Sequence, residues 1–395
     1  MQEIVLVISP RLLLERDTTS VCGALVVRER RTALPTLLYI RSLFCDSSWS
    51  CHMRIAVCRP QVPFMSGGAE LLCDELVAHL RRIGNEVDLV AVPFKWYPPS
   101  KLLLNAVTWR SLDLSEVNGE VIDLVIATKY PSYAIKHPRK IVWLFHQHRQ
   151  AYDLLGTNYS DLNNANDVCE AIRRIDEVSL RESEKVFAIS RTVADRLRRF
   201  NGLDAEVLYP PVPNDELFHE GTGQDFVICP TAFHTLKRAD LLVKAIPYLN
   251  ENARVILAPV KIENNGIQEL ARQLGVTRRI QFLEVTSRKR LADLYADSLC
   301  VYYGPYQEDY GFVTIEAFLS GKPVITTSDA GGPTEFVEDG KTGFVVDPEP
   351  RQIAEKIEEL WSHKDQARTM GARGRQLIDR HRINWNATLE RLLRH

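Results

Sequence analysis

The sequence predicts an α/β protein with two doubly wound domains that face each other across a cleft. Between residues 54 and 92, an apolar strand, a glycine-containing loop, a helix and a second strand follow one another. A similar series restarts at Asp225, and the stiff stretch PPVP at residues 210–213 separates the two series. Ligands favour the interface between two such domains, so the cleft is the place to search for a site.

Length and composition narrow the class of protein further. A chain of 395 residues is long enough for two domains, and its net charge of −2 gives no sign of a nucleic-acid partner. No apolar run reaches the length of a membrane span. The eight cysteines are scattered without a C-x-x-C pair, which is typical of reduced thiols in a reducing compartment. We therefore expect a cytoplasmic protein.

Residues 1–52 do not fit either domain. Short apolar runs alternate there with charged runs, and their order is wrong for a secretory signal. One interpretation is a targeting or membrane-contact arm, which would place the protein at the periphery of the cytoplasmic membrane. The interpretation that we favour is a poorly packed extension, because a complete domain begins at Met53. The extension is then expected to be dispensable.

In the N-terminal domain, residues 53–213, five clear apolar runs predict strands, at residues 54–58, 87–92, 121–128, 141–145 and 185–190. Gly67 and Gly68 open the first helix, either as a phosphate-facing loop or as a plain helix cap. Residues 152–184 are predicted to be helical and to cover the acceptor side. Ser190 is expected to cap the helix that follows.

Polar side chains follow the strand at residues 141–145. His146, His148 and Arg149 stand at the carboxyl end of that strand, where ligands of open parallel sheets bind. They are candidates for contact with a hydroxyl-bearing ligand or a phosphate; the alternative is a solvated loop or a structural histidine pair. Two histidines without a third ligand do not make a zinc site.

The C-terminal domain, residues 214–380, contains the stretch that carries most of the chemistry. An apolar strand at residues 299–303 leads into the loop YQEDYG, a helix that begins near Phe312, and a second strand at residues 324–327. The helix start offers free N–H groups and a positive dipole end, and Gly311 allows a ligand to approach the backbone. Glu308 in the loop and Glu316 in the helix could each accept hydroxyl hydrogen bonds. A phosphate between two hydroxyl-bearing groups describes a nucleotide sugar, although two glutamates at this spacing also occur by chance.

The segment EDYGFVTIEA resembles the E-x7-E signature of the retaining family 4, group 1 glycosyltransferases, which have the GT-B fold. The resemblance extends through AISRTVADRL, VLYPPV and SGKPVITTSDAGGPTEF. It implies that Glu308 contacts the donor sugar and that Glu316 holds the nucleotide ribose. The backbone between them, at Asp309, Tyr310, Gly311, Phe312 and Val313, is implied to meet the diphosphate. Gly67 and Gly68 are then similar to the family's mobile glycine loop, and His146 to a functional histidine.

The same resemblance assigns Lys237 to the leaving diphosphate. Family members usually carry an Arg a few residues before this Lys, and no Arg lies between Cys229 and Leu236 here. Arg238, His234 or Arg149 are candidates to replace it. No D-x-D motif occurs, so we expect neither a metal nor another cofactor. Residues 381–395 are expected to form a helix that crosses back onto the N-terminal domain.

The sequence thus predicts a metal-independent glycosyltransferase that acts in glycan, polysaccharide or glycolipid synthesis. Its partners would be a nucleotide-diphosphate sugar and a sugar, polysaccharide or lipid-linked acceptor. Three alternatives stay open: a catalytically weak nucleotide-sugar-binding subunit, a nucleotide-sugar epimerase and a glycogen-phosphorylase-like enzyme. A glycosidase, which needs two carboxylates around a glycosidic bond, has no independent support.

Overall fold

A computed structural model describes residues 52–221, 223, 225–262 and 266–394. The predictions made for residues 1–51 lie outside these described residues. Within the described part of the chain, no helix combines the length and the apolar character that crossing a bilayer requires. Cys58, Cys73, Cys169, Cys229 and Cys300 are buried free thiols.

The N-terminal domain is a six-stranded parallel sheet in the order β2-β1-β5-β6-β7-β8, with helices packed around it and one separate hairpin. Its elements are β1 (Arg54–Gln61), α1 (Gly68–Arg82), β2 (Glu86–Pro93), α2 (Ser100–Ser111), the hairpin strands β3 (Glu116–Val117) and β4 (Glu120–Val121), β5 (Leu124–Ala127), β6 (Lys140–Leu144), α3 (Asn166–Arg181), β7 (Lys185–Ala188), α4 (Arg191–Asn201) and β8 (Glu206–Val207).

The C-terminal domain repeats this plan in the order β11-β10-β9-β12-β13-β14, again with every strand parallel. Its elements are β9 (Phe226–Cys229), α5 (Ala239–Ala245), β10 (Arg254–Leu257), α6 (Ile267–Gln273), β11 (Ile280–Phe282), α7 (Arg288–Asp297), β12 (Cys300–Tyr302), α8 (Phe312–Leu319), β13 (Val324–Thr327), β14 (Gly343–Val346), α9 (Pro350–Ser362), α10 (Lys364–Arg380) and α11 (Trp385–Leu393).

Both sheets reverse their strand order beside a central strand. In the N-terminal sheet the reversal lies between β1 and β5, and in the C-terminal sheet it lies between β9 and β12. Ligands of open parallel sheets bind beyond the carboxyl ends of the strands at such a reversal. The loops that follow β1, β9 and β12 carry Gly67, Lys237 and Glu308, respectively. The topology therefore places the main predicted site residues where this fold class binds ligands.

The last helix lies against the N-terminal domain. The Trp385 ring stacks on His79 of α1 with the ring centroids 4.5 Å apart, and Arg391 pairs with Glu206 of β8. The guanidinium of Arg391 also lies over the ring of Phe187 in β7. These contacts are the ones expected of a helix that crosses back from the C-terminal domain.

Two local predictions were wrong. Helix was predicted throughout residues 152–184, but the α-helix begins only at Asn166, because turns occupy the preceding residues. Ser160 and Thr157 satisfy backbone groups in those turns with their side chains, which competes with helix formation. The strand predicted at residues 121–128 is split: Val121 belongs to the hairpin, and β5 starts at Leu124.

Candidate functional site

The starts of two helices from different domains meet at the cleft. Gly68 is the first residue of α1 and Phe312 is the first residue of α8. A Cβ atom built on Gly68 would lie 3.0 Å from Cδ2 of the Phe312 ring, so a side chain at this position would require the ring to shift by a few tenths of an ångström. Both helix starts present N–H groups and positive dipole ends, which favour an anion.

The loop before α8 is held firmly in place. The Glu308 amide donates to the carbonyl of Ala330 at 2.7 Å, and the Glu308 carbonyl accepts from the Gly332 amide at 2.8 Å. Gly311 has φ +91°, and a Cβ atom on it would lie 2.9 Å from the Tyr303 ring. The loop therefore pairs with its neighbour at residues 330–332, and glycine is needed where the loop becomes helix.

Glu308 and Lys237 form the charged centre of the site. Lys237 Nζ lies 2.7 Å from Glu308 Oε2, and the two side chains are 30% and 21% exposed. Lys237 Nζ also lies 3.4 Å from the Tyr303 hydroxyl, which the sequence analysis did not single out. The pair is accessible, so it can offer an incoming ligand one cation for phosphate and one carboxylate for hydroxyl groups.

Glu316 is far more enclosed than Glu308. Its side chain is 6% exposed, and its two oxygens accept hydrogen bonds from Arg288 and the Tyr295 hydroxyl, each at 2.7 Å. Arg288 also donates to the Pro213 carbonyl in the interdomain stretch at 2.8 Å. The ribose contact of Glu316 stays a prediction; any such contact would be made by a carboxylate whose orientation is already set.

Sequence reasoning missed Arg288 and Tyr295, although one signal for them existed. They are seven residues apart on α7, which places them on one face of that helix. Arg288 is also a cation in the first turn of a helix, where the dipole disfavours positive charge. A cation in that position is more easily explained by an acidic partner than by the helix itself.

Arg238 occupies a structural position beside the site. Its Nε donates to the Gly304 carbonyl at 2.9 Å, and its two terminal nitrogens donate to the Asp329 carboxylate at 2.8 and 2.5 Å. One of these nitrogens also donates to Thr327 Oγ1 at 2.7 Å. All three guanidinium nitrogens of Arg238 thus donate to protein oxygens, and these hydrogen bonds connect the residues after β12 to the end of β13. Donor contact by Arg238 remains a prediction that these hydrogen bonds do not favour.

Asp309 points to the N-terminal domain, away from the Glu308–Lys237 pair. Its carboxylate pairs with Arg196 of α4, and Arg149 Nε lies 3.8 Å from the same oxygen. Burial acts to raise the pKa of Asp309, but the charges of Arg196 and Arg149 outweigh burial and lower that pKa to about 2. Arg149 was predicted to contact substrates, and its guanidinium here faces Asp153 and Asp309; the predicted contact of the Asp309 backbone with a diphosphate stays a prediction.

The two histidines of the N-terminal loop are neutral at neutral pH. Burial lowers the pKa of His146, and it lowers that of His148 to about 4 with a further contribution from the charge of His146. His146 Nδ1 lies 2.7 Å from the Gln147 carbonyl, whereas the His148 ring packs near Tyr130 with the centroids 5.6 Å apart. His146 is thus the one of the two that shares the electrostatic environment of Asp309.

Glu335 is a further residue that sequence reasoning missed. It lies in the C-terminal domain, yet its carboxylate accepts hydrogen bonds from the Arg191 and Thr192 amides at 2.9 and 2.8 Å. These amides belong to the first turn of α4 in the N-terminal domain, where an acidic partner stabilises the helix. The Tyr209 hydroxyl donates to the same carboxylate at 3.0 Å.

No group of three or more His, Cys, Asp and Glu side chains that could hold a metal ion is found among residues 52–221, 223, 225–262 and 266–394. The groups available to an anion are instead the Lys237 ammonium and the amides at the starts of α1 and α8.

Comparison with known sequences agrees with this geometry. Residues 216–377 match the family model described as glycosyl transferases group 1. A D-inositol 3-phosphate glycosyltransferase of Nocardia farcinica is 32% identical over 182 residues, which are 43% of this chain and 40% of that protein. An alpha-1,3/1,6-mannosyltransferase of Dictyostelium discoideum is 29% identical over 113 residues, or 29% of this chain and 27% of that protein. The matched stretches thus span less than half of these two relatives.

Solved structures show the fold. Sucrose-phosphate synthase from Thermosynechococcus elongatus has a TM-score of 0.73 at 18% identity, covering 86% of this chain and 97% of that one. Anabaena HepE, solved in complex with UDP and glucose, has a TM-score of 0.64 at 17% identity, covering 87% of this chain and 100% of that one. The predicted fold class is therefore confirmed: the chain has the GT-B glycosyltransferase fold, with two α/β domains.

Proposed function

We propose that this protein transfers a sugar from a nucleotide-diphosphate donor to an acceptor hydroxyl. The observation that carries the proposal is the Glu308–Lys237 pair, 2.7 Å apart and accessible, beside the glycine-capped start of α8. A group 1 match over residues 216–377 supports it from the donor-domain side. The two named relatives are glycosyltransferases as well.

In the proposed reaction the charge that develops on the leaving diphosphate is stabilised by groups that are already in place. Lys237 supplies a full positive charge, and the helix starts at Gly68 and Phe312 supply N–H groups and dipole ends. Preorganised donors of this kind lower the barrier because they need no rearrangement during the reaction. We propose that these groups suffice without a divalent cation or another cofactor.

Glu308 and Glu316 have different proposed roles because their surroundings differ. Glu308 is accessible and would orient the donor sugar, and His146, neutral at the cleft, would contact that sugar or the acceptor. Glu316, aligned by Arg288 and Tyr295, would hold the ribose. We propose retention of the anomeric configuration, as the resemblance to family 4 implies.

The acceptor is proposed as a class of molecule. A sugar, polysaccharide or lipid-linked acceptor would approach from the N-terminal domain, within glycan, polysaccharide or glycolipid synthesis. The proposed location is the cytoplasm, at the periphery of the cytoplasmic membrane if the acceptor is lipid-linked. These proposals rest on the fold and on the named relatives.

A second candidate function is a nucleotide-sugar-binding subunit of low activity. The observation that favours it is the commitment of Arg238 to Gly304, Thr327 and Asp329, which leaves Lys237 as the closest described cation to Glu308. Such a protein would bind donors and turn over none of them. The experiment must therefore measure binding and transfer separately.

The first measurement is thermal stability with UDP, GDP and ADP and with their glucose and mannose conjugates. A ligand at a hundred times its Kd stabilises by about 2.7 kcal/mol, which is readily detected as a shift in Tm. The second is release of nucleoside diphosphate with panels of sugar and lipid-linked acceptors, with and without excess EDTA. Transfer that survives EDTA, with a retained anomeric signal by NMR, supports the full proposal; binding without turnover supports the second candidate.

The two glutamates separate the proposed roles. Glu316→Gln keeps the shape of the side chain but removes its charge, so donor KM should rise about ten- to hundredfold with kcat little changed. Glu308→Gln should instead lower kcat by a similar factor, because its contact with the sugar changes during transfer. Asp365→Asn, an exposed carboxylate on α10, is the matched control. Unchanged kinetics in both glutamate variants would reject the site assignment.

A further inference from the structure

The loop that carries Glu308 is fastened to the other domain at the very next residue. Asp309 binds α4 of the N-terminal domain twice: its carboxylate pairs with Arg196, and its carbonyl accepts from the Ser190 hydroxyl. Ser190 is also the cap of α4, since its Oγ accepts from the Val193 amide at 3.0 Å. The position of Glu308 is therefore one peptide bond away from an anchor in the opposite domain.

The anchor is a balanced set of charges whose side chains are between 4% and 18% exposed. Arg196, whose side chain is 4% exposed, lies between Asp309 and Asp153, with 3.2 Å from its Nε to Asp153 Oδ1. Arg149 Nη2 lies 2.7 Å from Asp153, and Arg149 Nε lies 3.8 Å from Asp309. Two carboxylates thus balance two guanidinium groups. Removing one member of a buried set leaves another charge without its partner, which makes the arrangement sensitive to single substitutions.

A second carboxylate holds the neighbouring loop to the same helix. Glu335 accepts from the amides of Arg191 and Thr192 at the start of α4. The backbone of Glu308 pairs with Ala330 and Gly332 in the loop that leads to Glu335. Both loops on which the placement of Glu308 depends are therefore held by α4.

We propose that Asp309 is a positioning residue, which sets the placement of Glu308 from the N-terminal domain. The inference rests on the proposed function and concerns the side chain of Asp309; the predicted contact of its backbone with the diphosphate stays a prediction. Geometry supports the inference, because the carboxylate faces Arg196 and Arg149 while Glu308 faces Lys237. Domain pairing would thereby complete the active site, since α4 and Glu308 belong to different domains.

The decisive variant is Asp309→Asn, which removes the charge and keeps the size of the side chain. A small misplacement of Glu308 should lower kcat about ten- to hundredfold, since an error of about 1 Å can cost that much. The Kd of the nucleoside diphosphate identified by the binding screen should stay within about twofold, because Lys237 and the helix starts are unchanged. A higher Kd with unchanged kcat would show that Asp309 is a donor ligand. A lower Tm with unchanged kcat and Kd would show a purely structural role.

A double-mutant cycle tests whether Asp309 acts through Arg196. Arg196→Gln alone and Asp309→Asn alone should each lower kcat. The double variant should keep the kcat of the less active single variant, because each substitution removes the same contact between Asp309 and Arg196. Arg196→Lys keeps the charge and should recover part of kcat; it also serves if Asp309→Asn does not fold. Multiplying losses in the double variant would overturn the proposal. The matched control is Glu182→Gln, which breaks the Arg110–Glu182 pair inside the N-terminal domain and should leave kcat unchanged.

Amide hydrogen exchange tests the anchor without relying on transfer activity. In Asp309→Asn, the amides of residues 306–311 should exchange faster than in the parent, while those of β9 and β12 keep their protection. Unchanged exchange in that loop would reject the anchor even in an active enzyme. Faster exchange in Asp309→Asn, together with a parent chain that transfers no sugar, would instead retain the anchor and reject the proposed function.

Discussion

The loops after β12 and β6 both lie at the carboxyl ends of their sheets, yet the polar side chains of the first are charged and those of the second are mostly neutral. After β12, Glu308 and Lys237 are charged, paired and accessible from the cleft. After β6, burial lowers the pKa of His146 and His148, and Gln147 between them is fully buried. The difference teaches that the C-terminal domain presents fixed charges at its end of the cleft, whereas the two histidines and Gln147 of the N-terminal domain are neutral.

The neutral loop is supported by a buried hydrogen-bonded chain. Gln147 donates to Asn201 at 2.5 Å, Asn201 donates to the Tyr152 hydroxyl at 3.4 Å, and that hydroxyl donates to Asp176 at 2.8 Å. Burial raises the pKa of Asp176 to about 7, against the hydrogen bond from Tyr152, which acts to lower it. The chain of hydrogen bonds that begins at Gln147 thus ends at a carboxyl group on α3 whose pKa is about 7.

The largest expected effect concerns the neutral side of this comparison, where Asp176 should make the free energy of unfolding depend on pH. Because the folded-state pKa of about 7 lies above the ordinary 3.8, the carboxyl favours folding at low pH, and this contribution is lost as pH rises from about 4 through 7. Asp176→Asn removes the titration. Between pH 4 and pH 8 the parent should therefore lose up to about 4 kcal/mol of unfolding free energy relative to the variant. Urea unfolding at both pH values measures this.

The control for that experiment lies on the same helix. Asp167→Asn changes an exposed carboxylate in the first turn of α3 and should retain the parent's pH dependence. A constant difference between Asp176→Asn and the parent at every pH would show that the buried carboxyl does not titrate in this range.

The second prediction concerns the charged side of the comparison and removes the ammonium group of Lys237. Lys237→Met removes the ammonium while keeping an apolar chain of similar length, and the loss of one preorganised donor to the leaving group should lower kcat about 10²- to 10³-fold. Lys244→Met, on the exposed face of the adjacent helix α5 and paired with Asp240, should change kcat little. Steady-state donor kinetics decide; equal kcat in the two variants would remove Lys237 from the mechanism.

The smallest expected effect sharpens the contact between the two domains. In Gly68→Ala the new methyl group meets the Phe312 ring at 3.0 Å, so the helix starts must shift slightly apart. The cost should be about 1 kcal/mol, seen as roughly fivefold weaker binding of the nucleoside diphosphate. Adding Phe312→Leu should restore binding, because the smaller side chain makes room. Calorimetric titration that found equal affinity in Gly68→Ala and the parent would show that this approach does not constrain the ligand.

Secondary structure was largely predictable because its signals are local. Apolar runs marked β1, β6 and β12 within a few residues of their observed bounds, and the strand predicted at Val324–Thr327 agrees at both ends. Errors arose where local signals conflict. The polar segment before Asn166 has helix-forming residues, but Thr157 and Ser160 favour turns through their side-chain hydrogen bonds. The helix α2 had not been assigned at all.

The candidate site was predictable residue by residue but not contact by contact. The sequence by itself determined the order of elements and the glycines at Gly68 and Gly311, and it identified Glu308 and Lys237 as candidates. Short local patterns carry the signals for the elements and the glycines, whereas the family resemblance carries the signal for Lys237 and most of the signal for Glu308. It could not determine that Lys237 and Glu308, 71 residues apart, would pair at 2.7 Å.

Only the tertiary structure decided which of the neighbouring charges face the cleft. Asp309 follows Glu308 directly, yet it binds Arg196, which lies 113 residues earlier, and Arg288 rather than a ligand lies against Glu316. Two adjacent side chains in an irregular loop can point to opposite sides, and no periodicity shows which way each will turn. The packing of α4 against the loop after β12 decides it, because a buried carboxylate must lie where guanidinium groups can balance its charge.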